Sequence, residues 1–165
     1  MSDLKVDVSQ QSKSVSFTVK GKLIEGSSFP DLALSMDSKL SINWNGLTYI
    51  NSVGLKIWVE YLAKLTKKIP ASNITYTHCP PIFVDQMSKV KNVIVKGVSV
   101  ISFYSPYVCL NCGHTQNVLF EFGKHFKAKG NGFEVNSNKI ICEKCLKDME
   151  LDTTPAKYFN FLSLI

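Results

Sequence analysis

Two cysteine pairs constrain this chain more than any other feature: Cys109-Leu110-Asn111-Cys112 and Cys142-Glu143-Lys144-Cys145. Each Cys-x-x-Cys turn places two sulfurs on one side of a tight knuckle. Two knuckles brought together close a tetrahedron of thiolates, the donor set that Zn²⁺ prefers. The 29 residues between Cys112 and Cys142 exceed the common spacing of about 15–20, and a hairpin absorbs the surplus. Gly113, directly after the first pair, permits the positive φ such a turn often needs. Cys109, Cys112, Cys142 and Cys145 are therefore expected to hold one Zn²⁺. Four thiolates leave no open coordination position, so the ion is read as structural rather than catalytic. Binding it contributes on the order of 10 kcal/mol to folding so small a module. Free thiols or a redox pair are the competing assignment. His114 could take a ligand position, but four cysteines suffice, and it is read as a neighbour of the site. The fifth cysteine, Cys79, has no legible His/Asp arrangement around it and is read as a buried thiol.

The 165 residues have room for one ordinary domain, or one small domain plus a mini-domain. Hydrophobic residues make up 45 %, enough for a sizeable core and too many for wholesale disorder. No apolar run approaches the ~18 residues of a membrane span. Met1-Ser2-Asp3-Leu4-Lys5 lacks the basic and apolar regions of a signal peptide. A cytoplasmic protein without membrane contact is expected, and a reducing compartment agrees with paired cysteines that bind metal.

The net charge is +6, and every basic residue is Lys; there is no Arg. Arg is the favoured residue for bidentate reading of guanine and for phosphate forks. Residues 1–107 carry 12 Lys against 7 acidic residues, and residues 108–165 carry 7 against 6. Four thiolates and one Zn²⁺ add about −2 to the second segment. The cysteine module is thus no basic patch, and a Lys-solvated surface is favoured over a nucleic-acid footprint.

Residues 4–9 and 14–24 read as strands, with Val15, Phe17 and Val19 alternating with Ser and Thr. A short helix is predicted over 27–37, with Pro30 in its first turn. A strand from Leu40 to Trp44 is expected to end at Gly46. Leu55, Trp58, Val59, Leu62 and Leu65 then recur at steps of three and four, the stripe of a helix. Asn51 or Ser52 caps it, Glu60 and Lys64 form an i,i+4 pair, and Lys67-Lys68 suit its C-terminal end. A strand over 73–78, a helix opened by Pro80-Pro81 and a strand from Val98 to Tyr104 complete an α/β layer with a mixed sheet. The join falls near Ser105-Pro106, dividing the chain into 1–105 and 106–165. Beyond it, Val118, Phe120 and Phe122 alternate, Gly130-Asn131-Gly132 turns, and Phe133 to Ile141 returns. A short helix is predicted from Leu146. The tail aromatics Tyr158, Phe159 and Phe161, with Leu162, are expected to dock, because otherwise they form an exposed apolar patch. Trp44 and Trp58 are read as core.

Residues 109–146 resemble a zinc ribbon in motif, a likeness that names no function. Asn43-Trp44-Asn45-Gly46-Leu47-Thr48-Tyr49-Ile50-Asn51-Ser52-Val53-Gly54-Leu55 resembles the signature of the STAS family, which includes bacterial anti-sigma-factor antagonists. That signature runs as an alternating strand with Asp, a small polar residue and Gly, then an apolar stretch, Asp-Ser-Ser-Gly-Leu and a helix. The resemblance covers about residues 4–104. It implies a small module of sheet and helices that binds a partner protein. In the antagonist members the Ser opening the main helix is phosphorylated by a partner kinase, which weakens the partner complex; the matching residue is Ser52. A helix N-terminus tolerates a phosphate, and nearly two added negative charges reset a binding face. Here Asn43 and Asn51 stand where the signature has acidic residues, and Val53 where it has a second Ser. Asn keeps the hydrogen bonding and capping but removes the charge. The simpler role for Ser52 or Asn51 is a helix cap alone.

The expectation is an α/β, STAS-like mixed sheet with helices plus a small zinc-ribbon-like β module. It acts as a non-enzymatic regulatory module of bacterial signalling. Asn51, Ser52, Val53 and Gly54 form its partner-binding face, and Ser52 is a candidate phosphoacceptor. The partner is a regulatory protein, an anti-sigma factor or a kinase-like protein. The alternative is a nucleic-acid-associated zinc-ribbon protein. An enzyme is disfavoured, because no Gly-rich phosphate loop or paired-carboxylate motif is present.

Overall fold

The computed structural model describes residues 3–136 and 139–165. The start of the N-terminal stretch (Met1, Ser2) lies outside the described residues, as do 137 and 138 of the strand expected from Phe133 to Ile141.

The first hairpin pairs β1 (Lys5–Gln11) antiparallel with β2 (Ser14–Leu23), in register from Lys5 opposite Lys20 to Gln11 opposite Ser14. Strand β3 (Lys39–Ile50) runs parallel to β2. Helix α1 (Ser52–Lys68) then leads to β4 (Ile74–Thr77), and α2 (Pro81–Lys89) leads towards β5 (Ser99–Val100). The strands form one mixed sheet in the order β1-β2-β3-β4-β5. Both helices lie on the face that carries Val15, Phe17, Val19, Leu40, Ile42, Trp44, Ile74 and Tyr76, all buried. Trp44 fixes that arrangement, stacking on Phe83 of α2 at 3.9 Å between ring centroids and meeting Trp58 of α1 edge-on at 4.6 Å. Cys79 is fully buried, and burial pushes its thiol pKa well up.

The chain then changes sheets at Ile101. Its N–H donates to the Tyr76 carbonyl of the first sheet, and its carbonyl accepts from Phe122 N–H beyond the second. Strand β6 (Ser102–Val108) pairs antiparallel with β7 (Thr115–Glu121), and a hairpin of β8 (Phe126–Lys129) and β9 (Gly132–Val135) follows. A two-residue strand, β10 (Glu150–Leu151), adds to the other edge of β6. Helix α3 (Pro155–Tyr158) and a 3₁₀ turn, Phe159–Leu164, carry the aromatic tail. Tyr158, Phe161 and Leu162 are buried, with Phe161 edge-on to Phe103 at 5.1 Å. The tail is also tied by Ser88, which donates to the Tyr158 carbonyl, and by the Tyr158 hydroxyl, which donates to the Tyr104 carbonyl.

Several local expectations are corrected. No helix forms over 27–37. The carbonyls of Pro30 and Leu32, which helical bonding would use, instead accept from Tyr61 Oη at 2.8 Å and Lys68 Nζ at 3.1 Å of α1. Gly46 does not end β3. It lies inside the strand where the register to β2 shifts, and a Cβ there would come within 2.9 Å of the Val19 carbonyl. The strand expected from Val98 to Tyr104 is two strands in two sheets, and Ser105 and Pro106 lie inside β6. The return strand ends at Val135, and no helix starts at Leu146. Glu60 is near Lys56, at 3.9 Å, rather than Lys64.

Candidate functional site

The Sγ atoms of Cys109, Cys112, Cys142 and Cys145 all lie within 4.8 Å of one another. Cys109 to Cys145 is 3.4 Å and Cys112 to Cys142 is 3.6 Å. A tetrahedral ion with Zn–S bonds of about 2.3 Å needs sulfur–sulfur edges of about 3.8 Å. The four sulfurs are therefore close to a ligand cage for one ion. Four thiolates so close repel one another, and a divalent cation at their centre relieves that repulsion.

The two knuckles are built alike. Cys109 N–H donates to the His114 carbonyl at 2.8 Å, and Gly113 N–H returns to the Cys109 carbonyl at 2.8 Å. In the second knuckle Cys142 N–H donates to the Lys147 carbonyl at 2.8 Å, and Leu146 N–H returns to the Cys142 carbonyl at 3.0 Å. Backbone amides also face the sulfurs. That of Lys147 is the main cause holding Cys145 down to about 6, against burial and with help from the Cys109 and Cys112 sulfurs. That of His114 favours the Cys112 thiolate too, but burial and the three neighbouring sulfurs outweigh it and push this thiol up to about 12. Cys109 and Cys142 are fully buried, which closes the cage on the protein side. His114 thus serves the first knuckle through its backbone, and the four ligand atoms of the cluster are all cysteine sulfurs. The amide donors follow from knuckle geometry and carry no side-chain signal, so the sequence does not show them.

The repeat exposes one mismatch. Gly113 has φ of +72°, and its counterpart Leu146 is forced to +59° with its side chain 77 % exposed. A left-handed non-glycine residue costs about 1–2 kcal/mol, and Leu146 recovers little by burial. Leu146→Gly is expected to raise the stability of the metal-loaded protein by about 0.5–1 kcal/mol, after allowing for the freer unfolded chain. Gly113→Ala should lower it by a similar amount. Urea denaturation of both variants checks this, and a less stable Leu146→Gly protein contradicts it.

The other predicted residues meet at the start of α1. Asn51 is the N-cap: its Oδ1 accepts from Gly54 N–H at 2.8 Å, and its own N–H donates to the Leu23 carbonyl at 3.2 Å. Ser52 is the first helical residue and is exposed, and Val53 beside it is 45 % exposed. Gly54 is buried against the backbone of Leu23 and Ile24. Asn43 spends its side chain locally, accepting from Asn45 N–H at 2.9 Å.

A cleft of about 490 Å³ lies at the other end of α1, lined by residues 29–32 and by Tyr61, Lys64, Leu65, Lys67 and Lys68. The sequence marks Lys67 and Lys68 only as helix-end cations. Their share in a cleft depends on how residues 28–36 fold over α1, where the apolar spacing of the sequence points instead to a helix.

No protein-family model, no curated protein and no solved structure matches this chain.

Proposed function

We propose that the chain is a non-enzymatic, protein-binding regulatory module of bacterial signalling, similar to the STAS-type antagonists of anti-sigma factors. It acts in the cytoplasm, with Cys109, Cys112, Cys142 and Cys145 holding a structural Zn²⁺. The observation that carries this reading is the exposed Ser52 at the opening of α1. Asn51 uses its side chain on Gly54 N–H, so the other first-turn N–H groups are left to solvent or a phosphate. Val53, apolar and 45 % exposed, supplies contact area beside the hydroxyl. A regulatory protein docks on residues 51–54, and phosphorylation of Ser52 weakens that complex by placing about two negative charges in the contact. When bound, the zinc ion contributes a fixed cross-link between the knuckles. No helix among the described residues is long and apolar enough to cross a membrane.

Native mass spectrometry before and after incubation with bacterial lysate and ATP tests the reading. The expected result is a single phosphate mapped to Ser52, absent in Ser52→Ala, and at least tenfold weaker partner binding by Ser52→Asp. A protein that gains no phosphate, and whose partner affinity is unchanged in Ser52→Asp, is not this kind of switch. Binding to nucleic acid that steepens as salt is lowered, with no protein partner, would favour the alternative zinc-ribbon role instead.

A further inference from the structure

Residues 28–36, within the stretch patterned for a helix over 27–37, lie as an irregular strap across α1. The strap is held by α1 side chains: Tyr61 Oη donates to the Pro30 carbonyl, and Lys68 Nζ bonds both the Leu32 carbonyl and Asp31, the latter at 2.6 Å. Phe29 stacks on Tyr61, with ring centroids 4.8 Å apart at 18°, and meets Trp58 edge-on. Leu32 and Leu65 are buried beside them. The cleft between strap and helix therefore has an aromatic and aliphatic floor.

Its rim is cationic. Lys68 and Asp31 neutralise each other, and Asp31 is held below the usual carboxylate range chiefly by its hydrogen bond from Lys68. Lys64 and Lys67 are exposed and sit in no ion pair among the described residues. Lys64 also acts electrostatically on Asp31, but two lysines outside any salt bridge flank an apolar floor. The helix dipole accounts for cations at this end of α1 but not for the cleft beneath them. Residues three apart on a helix are neighbours, about 5–6 Å between Cβ atoms, so Lys64 and Lys67 can engage two separate carboxylates. This end of a helix offers carbonyls rather than N–H groups, so an anion here is held by the lysine side chains alone.

We infer that this cleft docks an acidic peptide segment of a partner protein, with its carboxylates on Lys64 and Lys67 and an apolar side chain on the Phe29–Tyr61 floor. At about 1.5 Å per residue, Lys67 lies roughly 22 Å along α1 from Ser52. The surface is therefore separate from the 51–54 face, and neither assignment depends on the other.

The test is fluorescence anisotropy of a dye-labelled peptide alternating Glu and Leu, titrated with the full chain at low and physiological salt. The expected result is saturable binding that weakens with salt. Lys64→Glu with Lys67→Glu should weaken it at least tenfold, while Lys91→Glu, an exposed lysine outside the cleft, changes it less than twofold. Replacing the peptide's Leu by Ser should weaken it at least threefold. The double variant alters two exposed side chains, and unchanged circular dichroism and thermal midpoint establish that it folds. Undiminished binding by the folded double variant overturns the proposal. So does competition by succinate at the peptide's own concentration, which marks a small-anion pocket. Tighter binding of single-stranded RNA through the same two lysines also overturns it.

Discussion

Gly54→Ala is expected to destabilise the protein by about 3–5 kcal/mol, although helix propensity alone favours Ala over Gly by about 1 kcal/mol. The sign is decided by where the helix starts. A Cβ on Gly54 would sit 2.6 Å from the Ile24 backbone nitrogen and closer still to the Leu23 carbonyl. Both are backbone atoms at the end of a central strand, so no flexible side chain can move aside. The helix end must retreat instead. That stretches the Asn51 N–H bond to the Leu23 carbonyl and unseats Leu55 and Trp58, both buried on the same helix. Gly132→Ala is the control: its Cβ meets nothing within 4 Å, so a change within about 0.5 kcal/mol is expected. Urea midpoints of the two variants compare them directly. A Gly54→Ala protein as stable as the parent would mean that α1 does not seat against β2 as described.

Removal of the metal is expected to have the larger effect. A four-thiolate zinc site contributes on the order of 10 kcal/mol of binding free energy, which for a chain of this size corresponds to a shift of roughly 20 °C or more in unfolding. The purified protein should carry one zinc per chain by elemental analysis. A strong chelator should lower the thermal midpoint and remove hydrogen-exchange protection first around Cys109–Thr115 and Ile141–Leu151. Cys142→Ser should reproduce the chelator's effect, because it leaves three thiolates and a buried hydroxyl in the cage. Cys79→Ser should not release metal, since Cys79 lies outside the cluster. Full metal content in Cys142→Ser, or a chelated protein with an unchanged midpoint, would refute the assignment.

The parts legible in the sequence are those set by local pattern. The α1 stripe places Leu55, Trp58, Val59, Leu62 and Leu65 on one side, and all are buried but Val59, which is half-buried. The cysteine pairs announce their cluster because a tetrahedral ion imposes its own spacing. Failures fall where tertiary contacts override pattern. Phe29, Leu32 and Leu34 suit a helix, yet bonds from Tyr61 and Lys68, more than 25 residues away, claim the backbone carbonyls first. Leu146 suits a helix start, but the knuckle demands the left-handed conformation that Gly113 adopts freely. Val98 to Tyr104 reads as one strand, whereas Ile101 bonds to both sheets and divides it. Sheet membership is a property of neighbours distant in sequence, which single-chain periodicity does not carry.

The docking of the aromatic tail has a consequence for the order in which the protein is made. The five strands of the first sheet are all synthesised by Val100. Phe103 starts the next layer but meets the Phe159 and Phe161 rings only after about sixty more residues. At ~5–20 residues per second, the nascent chain carries that ring without its tail cover for about 3–12 s. The first cysteine pair is likewise made about thirty residues before the second, so an ion bound by the first pair alone is not yet enclosed. The interval most exposed to chaperones, proteases and aggregation is therefore the one between β6 and the tail, after the strands of the α/β layer have been made.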